Sequence, residues 1–182
     1  EDPTITAPDD VSVGTDDGEC SASGVTLGSP AIDDNCTGAN ASNDAPASFG
    51  IGNTTVTWTV TDAAGNTATA TQVVVVTDEE DPTITAPDDV SVGTDDGECT
   101  ASGVTLGSPT IDDNCTGAHA TNNAPASFGI GNTTVTWTVT DAAGNTATAT
   151  QVVVVTDEED PTITAPDDVS VGTDDGECGA SG

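Results

Sequence analysis

The segment Thr55-Val56-Thr57-Trp58-Thr59-Val60-Thr61 decides the fold, because apolar residues alternate with threonines along its whole length. Successive side chains of a β-strand point to opposite faces, so the alternation places Val56, Trp58 and Val60 on one face. A strand with one apolar face is typical of an antiparallel sheet that covers a core on one side. We therefore predict a half-buried strand here.

Further strand segments flank this one. The turn Ala63-Ala64-Gly65-Asn66 and residues 67–76 complete a hairpin with it, and the valine run at 73–76 favours a strand covered on both faces. Shorter strands are predicted upstream, at residues 4–7, 11–13, 23–27 and 47–51. No segment has helical periodicity. About seven short strands in about 80 residues predict an all-β fold of the immunoglobulin-like β-sandwich type.

The same pattern occurs twice, because residues 1–79 return as residues 80–158 with differences at five positions. The differences are Ser21/Thr100, Ala31/Thr110, Asn40/His119, Ser42/Thr121 and Asp44/Asn123. We predict tandem sandwiches strung end to end, with repeat 1 at 1–79, repeat 2 at 80–158 and an incomplete third repeat at 159–182. Such an array suits a structural thread, and we expect the segment to belong to a longer filament.

Charge is the strongest feature of the composition. The chain has 32 acidic residues and neither lysine nor arginine, which gives a formal net charge of −32. The repulsion must be screened from outside, by divalent cations or high salt, and we expect calcium. Nucleic acid is excluded as a partner and direct membrane contact is not expected, because no Lys or Arg can neutralise a phosphate. A solvated, halophile-like acidic surface is the alternative explanation.

Acidic and asparagine side chains cluster in three segments that a β-sandwich brings to one pole: the preceding linker, the loop between the second and third strands, and the last hairpin turn. Calcium takes about six to eight oxygen ligands, so we predict calcium at the repeat junctions. The candidate ligands are Asp33, Asp34, Asn35, Asp62, Asn66, Asp78, Glu79, Glu80, Asp81, Asp112, Asp113, Asn114, Asp141, Asn145, Asp157, Glu158, Glu159 and Asp160. The turn at 16–19 is expected at the opposite pole, facing the next linker. Ordinary turn chemistry of Asp and Asn is the competing explanation.

The chain contains five cysteines, Cys20, Cys36, Cys99, Cys115 and Cys178. A bridge within a repeat would close a short loop and contribute roughly 3 kcal/mol. We therefore predict the disulfides Cys20–Cys36 and Cys99–Cys115, which imply an oxidising, extracellular location. Zinc is disfavoured, because two thiolates and a histidine found only in repeat 2 cannot complete a tetrahedral site. No combination of acid, base and nucleophile can be assembled, so we do not expect an enzyme.

Several motifs occur in an order that resembles the hyalin-repeat (HYR) family. They are Asp2-Pro3-Thr4-Ile5-Thr6, Gly18-Glu19-Cys20, Asp34-Asn35-Cys36, residues 43–49 and residues 55–69. The resemblance covers the whole chain and implies an immunoglobulin-like extracellular module associated with adhesion, strung in large numbers in secreted surface proteins of Bacteroidetes, including giant gliding-motility adhesins. The family often has cysteine where this chain has Ala7 and Ala70. The joint absence implies that those two positions pair with each other, which leaves Cys20 with Cys36.

These features favour a structural or adhesive segment of a long extracellular filament or cell-surface adhesin, stiffened by calcium at its junctions. Its partners would be neighbouring repeats, other copies in the filament and divalent cations. A glycan-binding accessory module of a secreted protein is an alternative, but it needs an exposed aromatic platform, whereas Trp58 and Trp137 lie on an apolar strand face. An acidic, mineral-associated matrix protein is a third possibility, but its acidic tracts would be poorly ordered.

Overall fold

The computed structural model describes residues 1–176 and 178–179. These residues form sixteen strands and no helix, so no helix within them is long and apolar enough to cross a membrane. Repeat 1 contains β1 (Thr4–Thr6), β2 (Val11–Gly14), β3 (Ser21–Ser23), β4 (Ala31–Asp33), β5 (Asn40–Asn43), β6 (Ser48–Gly50), β7 (Gly52–Thr61) and β8 (Thr67–Thr77). Repeat 2 contains β9 (Thr83–Thr85), β10 (Val90–Gly93), β11 (Thr100–Ser102), β12 (Thr110–Asp112), β13 (His119–Asn122), β14 (Ser127–Gly129), β15 (Gly131–Thr140) and β16 (Thr146–Thr156).

Each repeat is a β-sandwich made of one four-stranded sheet and two two-stranded ribbons. In repeat 1 the sheet has the order β2-β8-β7-β5, and the ribbons are β1-β4 and β3-β6. Strands β7 and β8 form the long antiparallel hairpin that the sequence predicted, with Trp58 opposite Ala70. Strand β2 runs parallel to β8, with Val11 opposite Val74. Repeat 2 has the same arrangement, with the sheet β10-β16-β15-β13 and the ribbons β9-β12 and β11-β14.

The core lies between the large sheet and the ribbons. Val56, Trp58 and Val60 are buried, as the alternation in β7 predicted. Ala22 from β3 and Phe49 from β6 belong to the same cluster as Val56 and Trp58, so the β3-β6 ribbon covers this face of the sheet. The tandem all-β architecture expected from the sequence is therefore confirmed.

Three details of the sequence-based prediction were wrong. Strands β4 and β5 were not predicted, because they are short and lack apolar alternation. The strand expected at 23–27 lies earlier, at β3, while Val25 and Leu27 pack against the core from irregular chain. In the valine run of β8, Val74 is buried but Val73 is partly exposed. The run is therefore fully covered on one face only.

A buried glutamine connects the large sheet to the surrounding loops. Trp58 Nε1 donates a hydrogen bond to Oε1 of Gln72 at 3.1 Å. Gln72 Nε2 donates to the backbone oxygens of Asp9 at 2.6 Å and Leu27 at 2.9 Å. Gln151 makes the corresponding bonds in repeat 2. Because a buried polar group without a partner is costly, these bonds hold the loops around β2 and β3 in place.

Residues 159–176 contain no strand, although they repeat a sequence that forms strands elsewhere in the chain. Ile163 is 96% exposed. The corresponding Ile5 and Ile84 pack against the cores of repeats 1 and 2. This segment therefore lacks the apolar cover that the two full repeats give to the same residues.

We expect Gln72→Ala to lower the free energy of unfolding of repeat 1 by roughly 3 kcal/mol, because the Trp58 N–H and two backbone carbonyls lose their buried partner. Urea unfolding followed by tryptophan fluorescence measures the change. Thr71→Ala, at the exposed neighbouring position of the same strand, is the control and should cost less than about 1 kcal/mol. Equal losses in the two variants would contradict the structural role of Gln72.

Candidate metal centre at the repeat junction

Three aspartates from separate segments meet where repeat 1 joins repeat 2. Asp78 lies in the linker after β8, Asp113 in the loop after β12, and Asp141 in the turn between β15 and β16. One carboxylate oxygen from each lies within 4.8 Å of the others. Among the described residues, this is the one group of three or more acidic, His or Cys side chains close enough to share an ion. The sandwich topology therefore brings the linker, the loop and the hairpin turn to one pole.

Asp113 has the least favourable surroundings of the three. Both of its carboxylate oxygens are buried and accept no hydrogen bond of good geometry, although the nearby backbone N–H groups of Cys115 and Asn114 act to lower its pKa. Burial, together with the negative charges of Asp141 and Asp78, raises the pKa of Asp113 above its ordinary value of 3.8. A buried carboxylate without a partner is costly, and such groups are normally paired or coordinate a metal.

Asp141 is held in its ionised form. Its Oδ1 accepts hydrogen bonds from the backbone nitrogens of Gly144 at 2.6 Å and Asn145 at 2.7 Å, and its Oδ2 accepts one from Asn145 Nδ2 at 2.8 Å. Burial acts to raise the pKa of Asp141, but these hydrogen bonds outweigh burial and bring the pKa below 3.8. Asn145 Nδ2 also donates to the backbone oxygen of Asp78 at 3.2 Å, which connects the turn to the linker.

Asn114 bridges repeat 1, the linker and repeat 2. Its Nδ2 donates to the backbone oxygen of Glu19 at 3.1 Å and to Oδ1 of Asp78 at 3.2 Å. Its Oδ1 is buried and accepts no hydrogen bond. The loop that carries Asp113 is therefore fixed from both sides, and it offers an amide oxygen as a further ligand.

Repeat 1 provides a comparison, because repeat 2 contacts its opposite pole, so none of the described residues of repeat 2 covers the pole that carries Asp34 and Asp62. Asp141 is 5% exposed, whereas the corresponding Asp62 is partly exposed. Asp78 is 7% exposed, whereas the corresponding Asp157 in the second linker is exposed to solvent. Since the local sequences are the same, the difference in burial comes from the contact between the repeats.

Much of the site already exists in repeat 1. Asn66 Nδ2 donates to Oδ2 of Asp62 at 2.7 Å, and this side-chain hydrogen bond, with further backbone ones, lowers the pKa of Asp62 despite opposing burial. Both oxygens of Asp34, which corresponds to Asp113, are buried without a hydrogen bond. A single repeat therefore supplies two of the three carboxylates, and the preceding linker supplies the third.

The other predicted ligands lie outside the three-aspartate group and are exposed. They are Asp33, Asn35, Glu79, Glu80, Asp81, Asp112, Asp157, Glu158, Glu159 and Asp160. Two of them have a different role. Glu80 accepts a hydrogen bond from the backbone nitrogen of Gly18 at 2.8 Å, and Glu159 accepts one from Gly97 at 2.9 Å. The turn at 16–19 therefore faces the following linker, as the sequence predicted.

The disulfide pairing predicted from the sequence is wrong. Cys20 is bonded to Cys115 of repeat 2, with their Cα atoms 5.0 Å apart, while Cys36 and Cys99 are free and exposed thiols. The predicted bonds Cys20–Cys36 and Cys99–Cys115 would have to join opposite poles of one sandwich. The turn before Cys20 contacts the outgoing linker, whereas the loop of Cys115, and hence of Cys36, contacts the incoming one. The bridge therefore spans the junction.

Sequence reasoning missed the part that repeat 1 plays at the junction. Oγ1 of Thr15 and the backbone oxygen of Glu19 accept hydrogen bonds from Asn114 at 3.5 Å and 3.1 Å. These contacts could not be predicted from the sequence, because any residue can contribute a backbone oxygen and because Thr15 is one of many threonines. One signal was available. Cys20 follows a turn already assigned to the pole opposite Cys36, which excludes a bond between the two.

We expect non-reducing peptide mapping to recover Cys20 and Cys115 as one linked pair, with Cys36 and Cys99 alkylated. An aspartate-specific protease is needed, because the chain contains no Lys or Arg for trypsin, and because aspartates, but no glutamate, lie between the two cysteines of each repeat. Cys20→Ser should make Cys115 reactive, while the control Cys36→Ser should leave the bridge intact. Recovery of Cys20 linked to Cys36 would contradict the structure.

The chain is similar to a curated protein and to several solved structures. Hyalin of Lytechinus variegatus is 33% identical over 128 residues, which are 66% of this chain and 24% of hyalin, so the chain spans about a quarter of that relative. Among solved structures, Drosophila N-cadherin EC1-4 matches 86% of this chain and 50% of its own at 10% identity and a TM-score of 0.46. Human mucin-like protocadherin EC1-2 matches 85% of this chain and 98% of its own at 14% identity and a TM-score of 0.43.

The HYR domain family matches residues 1–76 and residues 77–155. The two matches include the loops and turns that meet at the junction, as well as the strands of both sandwiches. The chain therefore belongs to the HYR domain family.

Proposed function

We propose that this chain is part of an extracellular structural or adhesive array, in which calcium at the repeat junction holds consecutive repeats in a fixed orientation. The observation that carries the proposal is Asp113, whose buried oxygens accept no hydrogen bond although Asp78 and Asp141 lie beside it. Membership of the HYR family and similarity to hyalin support an extracellular repeat module. The near identity of the two repeats supports an array of equivalent units.

The composition makes a bound cation the natural partner of this group. No Lys or Arg is present to offset the three carboxylates. Calcium accepts about six to eight oxygen ligands in a flexible geometry, whereas magnesium requires a near-ideal octahedron and keeps several waters. Three carboxylates and the Asn114 amide oxygen, brought together from separate segments, suit the less demanding geometry of calcium.

An ion at this position would act on the orientation of the repeats. Asp78 belongs to the linker, while Asp113 and Asp141 belong to repeat 2. A cation shared by them removes torsional freedom from the linker. The Cys20–Cys115 bridge attaches the two repeats at a second point. Two attachments restrict bending and twisting of the junction more than either one alone.

Burial of the aromatic residues argues against the glycan-binding alternative. Trp58 and Trp137 are 6% and 5% exposed, and Phe49 and Phe128 are each 3% exposed. These four are all the aromatic residues of a chain that has no tyrosine. No aromatic ring is therefore available to stack on a sugar. The mineral-associated alternative is also disfavoured, because the junction acids occupy defined turns.

We expect calcium to raise the melting temperature of the calcium-free protein at constant ionic strength, and Asp78→Asn to remove most of this response. The variant loses the one carboxylate that the linker contributes to the group. Asp157→Asn is the matched control, because it makes the same change at the corresponding, exposed position of the second linker. Scanning calorimetry measures the response, and an equal response in both variants would contradict the proposal.

The same samples test the stiffening by small-angle X-ray scattering. Calcium should narrow the distribution of shapes of the unaltered chain. The narrowing should be stronger in a Cys20→Ser, Cys115→Ser double variant, because the ion is then the one attachment, besides the linker itself, that restrains the junction. An unchanged distribution in both proteins would show that calcium does not control the junction.

We expect Asp113→Asn to have opposite effects with and without calcium. The raised pKa of Asp113 shows that the folded protein disfavours its ionised form, so ionisation lowers stability as the pH rises through that pKa. A neutral amide removes the cost of burying this charge and its repulsion with Asp141 and Asp78, so it should raise the melting temperature in chelator at neutral pH. It should also weaken calcium binding on the order of tenfold, because a charged ligand is lost.

The control for this variant is Asp34→Asn, which alters the corresponding loop of repeat 1. Asp34 is not a member of the group that Asp78 forms with Asp113 and Asp141, so the calcium affinity of the junction should be retained. Titration calorimetry compares the two proteins. A calcium affinity that Asp113→Asn leaves unchanged would contradict the role given to Asp113.

A further inference from the structure

We propose that the surface around Cys99 docks a further HYR repeat through the same linkage that joins repeats 1 and 2, with Cys99 as its covalent anchor. The loop of Cys36 in repeat 1 is the complementary half of such a linkage. The inference rests on the geometry of the existing junction and does not depend on calcium. The occupant is a repeat whose loop reads Asp-Asp-Asn-Cys, as residues 112–115 do.

Cys99 stands on the same scaffold as the bonded Cys20. The turn before each cysteine is closed by the same backbone hydrogen bond, 2.9 Å from Glu19 N to Asp16 O in repeat 1 and 3.0 Å in repeat 2. Cys20 is bonded across the junction, whereas Cys99 is free and exposed. Two cysteines in the same local structure therefore differ only in whether a following sandwich is in place.

The linker after repeat 2 already adopts the conformation seen at the first junction. The hydrogen bond from Gly97 N to Glu159 Oε2 is 2.9 Å long, and that from Gly18 N to Glu80 Oε2 is 2.8 Å long. The backbone nitrogen of Glu159 also bonds Oδ1 of Asp157 at 3.0 Å, as the corresponding pair does in the first linker at 3.2 Å. The second junction is therefore preformed on the side of repeat 2.

An open cavity of about 560 Å³ lies beside Cys99. Its lining includes Gly97, Glu98, Cys99, Asp157, Glu159 and Asp160. At the first junction, the loop of Asn114 and Cys115 occupies the corresponding place, bonded to Cys20 and to the backbone oxygen of Glu19. The cavity therefore matches the position of a docked loop.

The facing pole of repeat 1 has the complementary features. Cys36 is exposed, and both oxygens of Asp34 are buried without a hydrogen bond. Residues 159–182 reproduce residues 80–103 except that Gly179 replaces threonine, so they carry the first part of a repeat that could fill the cavity near Cys99. In that repeat Cys178 would correspond to Cys20, so it would face a later junction and would not compete for Cys99.

Bond formation needs an oxidant, for which a low-molecular-weight disulfide suffices. The Cys99 thiolate attacks this disulfide, forms a mixed disulfide and releases one thiol. The thiolate of the docked loop then attacks the Cys99 sulfur and releases the second thiol. Two protein thiols are oxidised to one disulfide, and one small disulfide is reduced to two thiols.

The test extends the full chain by a copy of residues 104–158 placed after Gly182, which completes a third repeat in register. The protein is refolded in oxidised and reduced glutathione, alkylated and mapped. We expect Cys99 to be linked to the appended cysteine that copies Cys115, with the Cys20–Cys115 bridge retained. Cys36 and Cys178 should be alkylated.

A serine in place of the appended cysteine is the control, and it should restore alkylation of Cys99. Burial of the appended tryptophan, seen as a blue shift of its fluorescence, shows whether the third repeat has folded. A folded third repeat with Cys99 alkylated, or Cys99 linked to Cys178 or to Cys36 of the same molecule, would overturn the proposal. Failure of the appended repeat to fold would also count against it, because the same sequence folds behind repeat 1.

Discussion

Repulsion among carboxylates is the constraint on which the arrangement of this chain depends, since 32 acidic residues are present without Lys or Arg. Several acids accept hydrogen bonds from groups of their own repeat. Asp141, for example, accepts hydrogen bonds from two backbone nitrogens and from the Asn145 side chain. The loop aspartates are not satisfied in this way, because the buried oxygens of Asp34 and Asp113 accept no hydrogen bond of good geometry, and at the junction Asp113 also lies beside two other aspartates. An external cation would therefore stabilise the chain most at the junction, where it would neutralise three neighbouring carboxylates.

The two repeats separate the properties of the sandwich from those of the junction. Their interiors are equivalent, and each contains a fully buried glutamine that accepts a hydrogen bond from tryptophan at 3.1 Å. Their poles differ. Asp78 is buried where Asp157 is exposed, and Cys20 is bonded where Cys99 is free. Each sandwich thus acts as a preformed unit, and the chemistry that depends on neighbours is concentrated between units.

Much of the fold could be predicted because the alternation around Trp58 is long enough to define a buried face. Strands β4 and β5 could not be predicted, because they have no apolar alternation of their own. They form by pairing with β1 and β7, respectively. The meeting of the linker, the loop and the hairpin turn follows from sandwich topology. The cysteine pairing failed because spacing along the sequence was weighed above position in the fold, and the bonded residues lie 95 positions apart.

We propose that a calcium ion occupies the junction between the repeats. A crystal structure of the full chain grown in calcium, with anomalous data collected to identify the ion, tests it most directly. We expect an anomalous peak about 2.3–2.6 Å from carboxylate oxygens of Asp78, Asp113 and Asp141. A junction with those three carboxylates in the same positions and no anomalous peak between them would contradict the account.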